Sequence, residues 1–178
     1  MTLRSKIIEK HQEAENHRFA KLLMSGMVTE ECYGNYLFNL LPCYSIIERK
    51  ADYFGLLDGI EGIVRANRIL QDMDDLKFTP TFLGETTNYM EHLDSLCTPN
   101  HILSHLYVRH FGDLFGGQMI KKLVPSKGRM YEFENRSELI EKARAKLHEG
   151  LSDEANLAFD YAVEIFEGLA NVFHLPNS

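Results

Sequence analysis

Two groups of residues in this chain have types and spacings that could do chemistry. The first is His105-Leu-Tyr107-Val-Arg109-His-Phe-Gly112-Asp113-Leu-Phe115-Gly116-Gly117-Gln118. Apolar residues at Ile102, Leu103, Leu106, Phe111, Leu114 and Met119 give this stretch a helical pattern. Each glycine in a helix interior costs about 1 kcal/mol relative to alanine, so some contact must offset three of them. Gly112 and Gly116 are four apart and share a face. A face without side chains lets backbone approach a flat partner, and a close helix–helix contact is the plainer use of it. Asp113 weighs against that use, because a carboxylate beside such a face is costly to bury without partners. Arg109, one turn earlier, is in position to pair with it. The set suggests a polar network over a planar ligand.

The second group is His11 with Glu15. A lone histidine on an apolar face is most often a hydrogen-bonded core residue. An imidazole that ligates a metal needs its other nitrogen held by an acceptor, and a carboxylate one turn away can supply that. His101 and His105 also share a helix face, but no cluster of carboxylates or cysteines accompanies them in the sequence.

These residues need helices to position them. Leu3, Ile7, Ile8, Ala14, Phe19, Leu22 and Leu23 form one broad stripe, which predicts a helix over 3–24 stopped by Gly26. Thr29-Glu30-Glu31 opens a second helix, reaching about Lys50 and kinked at Pro42. Shorter helices are expected at 58–72 and 81–93, the latter opened by Thr79-Pro80. Thr98-Pro99 starts the glycine-containing helix, which should run to about Val124. A turn at 125–128, a short extended piece from Arg129 to Phe133, a helix over 136–149 and a last helix from Ser152 to about Phe173 complete the chain. No repeat and no βαβ rhythm appears, so residues 1–178 are expected to form one all-α domain.

Composition narrows the function. The chain has 178 residues, 44% of them hydrophobic and 25% charged, as in an ordinary globular protein. A net charge of −7 argues against nonspecific nucleic-acid binding. Residues 119–150 nevertheless sum to +3 and the first ten to +2. Three cysteines without C-x-x-C spacing suggest a reducing compartment. No signal core and no span of about 20 apolar residues is present, so no membrane association is expected. Phosphate-binding glycine loops, a nucleophile elbow and paired E-x-x-H motifs are all missing.

The motifs resemble the haem oxygenase family. His105-x-Tyr107-x-Arg109-x-x-Gly112-Asp113-Leu-x-Gly116-Gly117-Gln118 is similar to that family's distal-helix signature, with Phe115 where serine is usual. His11-x-x-Ala14-Glu15-Asn16 is similar to the proximal-helix signature, and Asp153-Glu-Ala-Asn-x-Ala158-Phe159 resembles the last core helix. The resemblance implies a single-domain helical bundle with haem b between the proximal and distal helices. It implies His11 as the iron ligand oriented by Glu15. Gly112, Gly116 and Gly117 would lie on the distal side, with Tyr107 and Phe159 in the pocket. Asp113, Arg109 and Tyr44 would hold a water network that delivers protons to bound O2. It further implies ring opening at the alpha meso carbon to biliverdin, carbon monoxide and ferrous iron.

Haem propionates need cations, and Arg4 and Arg144 are the matching positions, although Ile8 and Ile140 stand where lysines are usual and Ala162 where asparagine is. A soluble type, in cytoplasm or plastid stroma and reduced by acidic ferredoxin, is the expected setting. A non-catalytic haem carrier could use the same pocket. A thiamine-degrading hydrolase of similar architecture would want a cysteine nucleophile, and Cys32, Cys43 and Cys97 lie in no motif for one.

Overall fold

Helix α1 spans Leu3–Asn16 in the computed structural model, which describes residues 1–177. Thr2 starts it by accepting from the Ser5 amide through its hydroxyl at 3.3 Å. The apolar stripe continues past Asn16, but the helix does not. His17 takes an extended conformation (φ −63°, ψ 139°) and its Nδ1 accepts from the Phe19 amide at 3.1 Å, capping a separate helix α2, Arg18–Ser25. Its Nε2 lies 2.9 Å from Glu167, which Arg18 also grips at 2.7 Å. The single helix expected over 3–24 is therefore two. A histidine acting as cap carries no glycine or proline signal. Gly26 ends α2 in the left-handed region at φ 73°, as its position suggests.

Helix α3, Glu30–Tyr53, is capped by Thr29 and passes through Pro42 as one continuous helix. It crosses the core, burying Tyr33, Leu37, Leu40, Tyr44 and Ile47. Asn35 and Asn39 are also buried in it. Their amides hold residues 79–83 extended along the helix: Asn35 accepts from the Thr81 amide at 2.6 Å, and Asn39 accepts from the Leu83 amide at 3.0 Å. Asn39 also donates to the Thr81 carbonyl at 2.9 Å. This is why the helix expected from residue 81, capped at Thr79, begins later. It is α5, Gly84–Ser95, with α4 at Ala66–Met73 before it.

Helix α6, Pro99–Leu106, starts at Thr98 as anticipated. It runs into one π-helical turn, Tyr107–Phe111, and then into α7, Gly112–Lys121. Such a turn accommodates an extra residue and shifts the phase of everything after it. The extended piece expected over 129–133 is instead a 3-10 turn, Arg129–Tyr131. Its cause is the buried Asp72 carboxylate, which accepts from the Arg129 and Met130 amides at 2.9 Å each. Helices α8, Arg136–Ala145, and α9, Ser152–Val172, close the chain. Helices α1, α2, α5 and α6 all pack on α9, and no strand occurs among the described residues. The result is one all-helical domain. No helix of it is long and apolar enough to cross a membrane.

Glu154 ties α9 to two neighbours. His105 of α6 and His92 of α5 lie 2.8 and 2.5 Å from its Oε1. Burial opposes the Glu154 charge, but the two imidazole contacts outweigh it and hold the carboxyl down at about 2. Burial also lowers the His105 ring, despite Glu154 beside it. Both shifts mean that the folded state binds fewer protons than the unfolded one. The Glu154 contribution is complete above the ordinary value of 4.5 and disappears as pH falls toward about 2. Stability to urea should therefore fall in two stages on acidification, first below the ordinary histidine value of 6.5 and then below 4.5. In Glu154→Gln the second stage should be shallower. An unchanged acid limb would refute this account.

Candidate functional site

The cleft lies between α1 on one side and the π turn with α7 on the other. Three cavities of about 270, 490 and 470 Å³ open side by side there, and His11 borders all three. A larger cavity, about 580 Å³, lies at the end of α3 beside Leu96 and Cys97 and contains none of the anticipated residues.

His11 is partly exposed, with its Nδ1 3.5 Å from Glu15. Phe159 of α9 meets the ring edge-on at 5.7 Å between centroids. The histidine is thus turned into the cleft with one nitrogen beside a carboxylate, as a ligating imidazole requires.

Across the cleft, Gly112 and Gly116 present bare backbone. A Cβ at either position would meet nothing within 4 Å, so no helix packs on this face. That disposes of the plainer reading of the glycine pair. Gly117 is different: a Cβ there would sit 2.3 Å from Tyr131 Cδ1. It borders the cleft, but what requires its lack of a side chain is the buried Tyr131 ring packed against it, which lines the same cavity. Gln118 reinforces that contact by donating to the Tyr131 carbonyl at 2.8 Å.

Asp113 is half-buried and borders the cleft between the two glycines. Its direct partner is Tyr44, whose hydroxyl donates to Oδ2 at 2.6 Å. Burial raises the Asp113 carboxyl above its usual range, although Tyr44, Arg109 and Arg65 work against this. Burial likewise pushes the Tyr44 hydroxyl well up, keeping it a donor. Arg109 does not form the expected ion pair with Asp113. Arg109 sits within the π turn, which ends where α7, carrying Asp113, begins. Arg109 instead lies buried with its guanidinium 5.6 Å from the Tyr44 ring centre, and its Nε has no hydrogen-bond partner.

Behind this group is a set that the motifs did not single out. His110 Nε2 lies 2.9 Å from Glu48 Oε1, and its ring sits 4.5 Å from that of Tyr44. Glu48 also accepts from the Arg65 and Ala66 amides. Buried Arg65 donates to the carbonyls of Gly62, Val64 and Glu132, fixing the chain beneath α7. For Arg65 the available signal was a charged type between the apolar Val64 and Ala66; Glu48, followed by Arg49 and Lys50, gave none. Arg136, at the start of α8, also grips α7. It donates to the Leu114 and Phe115 carbonyls of α7 at 2.8 and 3.3 Å.

The outer end of the cleft is cationic. Arg4, Ile7, Ile8, Tyr107, Phe115 and Arg144 surround His11 there. Arg144 lies over the Phe115 ring at 5.4 Å. Neither Arg4 nor Arg144 has an acidic partner among the described residues, although most other arginines do or are spent on carbonyls. Unpaired guanidinium groups in a partly apolar cleft suit a ligand with carboxylates.

The three glycines should separate on substitution. Gly112→Ala and Gly116→Ala should leave the ligand-free protein as stable or gain about 0.5–1 kcal/mol, as alanine does in an unobstructed helix. Gly117→Ala should cost about 1–3 kcal/mol through overpacking against Tyr131. Urea unfolding of the three variants checks this, and equal destabilisation by all three would contradict the open-face geometry.

A family model described as "Heme oxygenase" matches residues 1–168. Heme oxygenase 2 of Oryctolagus cuniculus is 28% identical over 210 aligned positions, covering 96% of this chain and 65% of the relative. The heme oxygenase of Rhodella violacea is 26% identical, covering 97% of this chain and 87% of the relative. The chain spans just under two thirds of the length of the mammalian heme oxygenase 2 relatives, 65% for the rabbit protein and 62% for that of Rattus norvegicus. Among solved structures, heme oxygenase-2 of Synechocystis in complex with heme and NO aligns with a TM-score of 0.82 at 25% identity, over 96% of this chain and 84% of that one. Synechocystis heme oxygenase-1 with heme aligns with a TM-score of 0.76 at 22% identity, over 97% and 94% of the two chains. With the family match running almost the whole length of the chain, this protein belongs to the haem oxygenase family.

Proposed function

We propose that this chain binds haem in the cleft and opens it at the alpha meso carbon to biliverdin, carbon monoxide and ferrous iron. The observation that carries the reading is the bare Gly112–Gly116 face opposite His11, with Asp113 set between the glycines. The residues fit the group. A flat macrocycle needs backbone, not side chains, on one side, and both added Cβ positions are open. Buried polar groups are normally paired, yet Arg109 Nε beside Tyr44 has no protein partner, as expected of a site that takes ordered water or ligand.

His11 would ligate the iron through Nε2, its Nδ1 facing Glu15. Arg4 and Arg144 would receive the propionates and so set the rotation of the ring in the cleft. When bound, haem supplies the iron at which oxygen is activated and is itself the molecule cleaved. The chain's own part is to manage protons. Asp113 is held at Oδ2 by the Tyr44 hydroxyl, leaving Oδ1 free to hold water. Burial raises that carboxyl and so increases its affinity for a proton over that of a solvated carboxylate. Arg109 keeps positive charge behind that carboxylate without neutralising it by direct contact.

His11→Ala should retain haem with an altered spectrum and lose turnover, with partial recovery on adding imidazole. Asp113→Ala should bind haem and O2 but yield little biliverdin under reductant in air. Full activity in either variant would overturn the assigned role. Haem binding without biliverdin from the unaltered chain would instead favour a carrier.

We also infer that the reductant is an acidic protein of the ferredoxin kind, docking at the cationic end of the cleft. The support is narrower than the +3 sum of residues 119–150 suggests, because Lys121, Arg129 and Lys142 are tied to Glu132, Asp75 and Glu138. Lys122, Arg4 and Arg144 have no acidic partner among the described residues. Arg144→Glu, at that end of the cleft, should slow ferredoxin-driven turnover more than turnover by a small neutral reductant. The ferredoxin rate should also fall as salt rises past about 0.1 M, where charges are screened over roughly 10 Å. Equal slowing with both reductants would exclude this docking face.

A further inference from the structure

We propose that His92, His105 and Glu154 form a zinc site that clips helices α5, α6 and α9 together. The three candidate ligand atoms lie within 4.8 Å of one another, and none of these residues borders the His11 cleft. Two imidazoles and one carboxylate with room for water are a donor set that zinc takes, at about 2.0–2.2 Å per ligand. Tetrahedral ligands at that range are roughly 3.3 Å apart. The present separations of 2.5 and 2.8 Å from the two Nε2 atoms to Glu154 Oε1 need to open by less than about 1 Å. Two nitrogen donors select zinc over calcium or magnesium, which prefer oxygen.

The surroundings suit an ion as well as the first ligands do. His105 Nδ1 lies 2.7 Å from the Tyr89 hydroxyl. When Nε2 binds a metal the ring proton must sit on Nδ1, and Tyr89 can then accept it, fixing the ring. Tyr161 stacks on Tyr89 at 4.9 Å and covers the His92 ring at the same distance, so both rings are held in place. His92 is 20% exposed at its side chain, which gives an ion and its water a way in. The carboxylate is not one of several exposed acids. It is a largely buried Glu154 whose free oxygen capacity already converges with both rings.

The experiment is a titration of the haem-free, full-length protein with zinc sulfate at neutral pH, against a chromophoric chelator. One equivalent per chain should bind, and His92→Ala and Glu154→Gln should each weaken it at least about tenfold. His11→Ala and Cys97→Ser should leave it unchanged, separating this site from the exposed imidazole and thiol elsewhere. Because the buried substitution can loosen the helices, the unaltered chain is also followed by long-range ¹H–¹⁵N correlation of its histidine rings. Zinc should bring two histidines to the Nδ1–H tautomer with their Nε2 atoms bound. Absence of a stoichiometric site overturns the proposal. So does binding that survives His92→Ala, disappears in His11→Ala or Cys97→Ser, or leaves the ring tautomers unmoved.

Discussion

The contact of the Tyr131 ring with Gly117 is what the rest of the site depends on. Helix α7 has to be firmly packed on one side and bare on the other, and packing only one side of a short helix demands a rigid backing. Tyr131 provides it from a 3-10 turn that Asp72 and Arg65 hold through main-chain hydrogen bonds. Arg136 adds a grip on the Leu114 and Phe115 carbonyls. The polar residues buried under α7 thus replace the packing that its cleft side forgoes.

Arg109, within the π turn before α7, makes no ion pair with Asp113, so the carboxylate is met by a neutral donor, Tyr44, and not by a cation. A paired Asp113 would be a fixed anion of low proton affinity. Kept half-buried against a hydroxyl, its carboxyl is instead raised above the usual range by burial.

How much of this the residues disclosed in advance depends on the range of the interaction concerned. Local signals were readable: Thr98-Pro99, Thr29 and Gly26 begin and end helices where their chemistry says, and His11 with Glu15 is a one-turn relation that any helix preserves. The open face of Gly112 and Gly116 followed from spacing, whereas the separate duty of Gly117 did not, because Tyr131 reaches it from fourteen residues away. The His17 break, the asparagine pair holding residues 79–83, and Asp72 at the Arg129 turn are side-chain-to-backbone bonds that substitute for capping or strand pairing. Periodicity carries no trace of them. The Arg109–Asp113 pairing is not made because Tyr44, distant in the chain, takes the Asp113 carboxylate and lies beside the Arg109 guanidinium, a long-range contact that spacing within one helix does not disclose.

The exposed glycines of α7 also bear on how the cleft empties. Each lowers the intrinsic stability of its helical turn by about 1 kcal/mol, which raises the population of locally frayed backbone roughly fivefold. With no partner helix on that face, such fraying breaks no side-chain packing on the cleft side. A rigid planar occupant damps it by contact along the backbone. An occupant that loses planarity no longer does. The two residues that admit a flat molecule therefore also make the wall easiest to part once that flatness is gone.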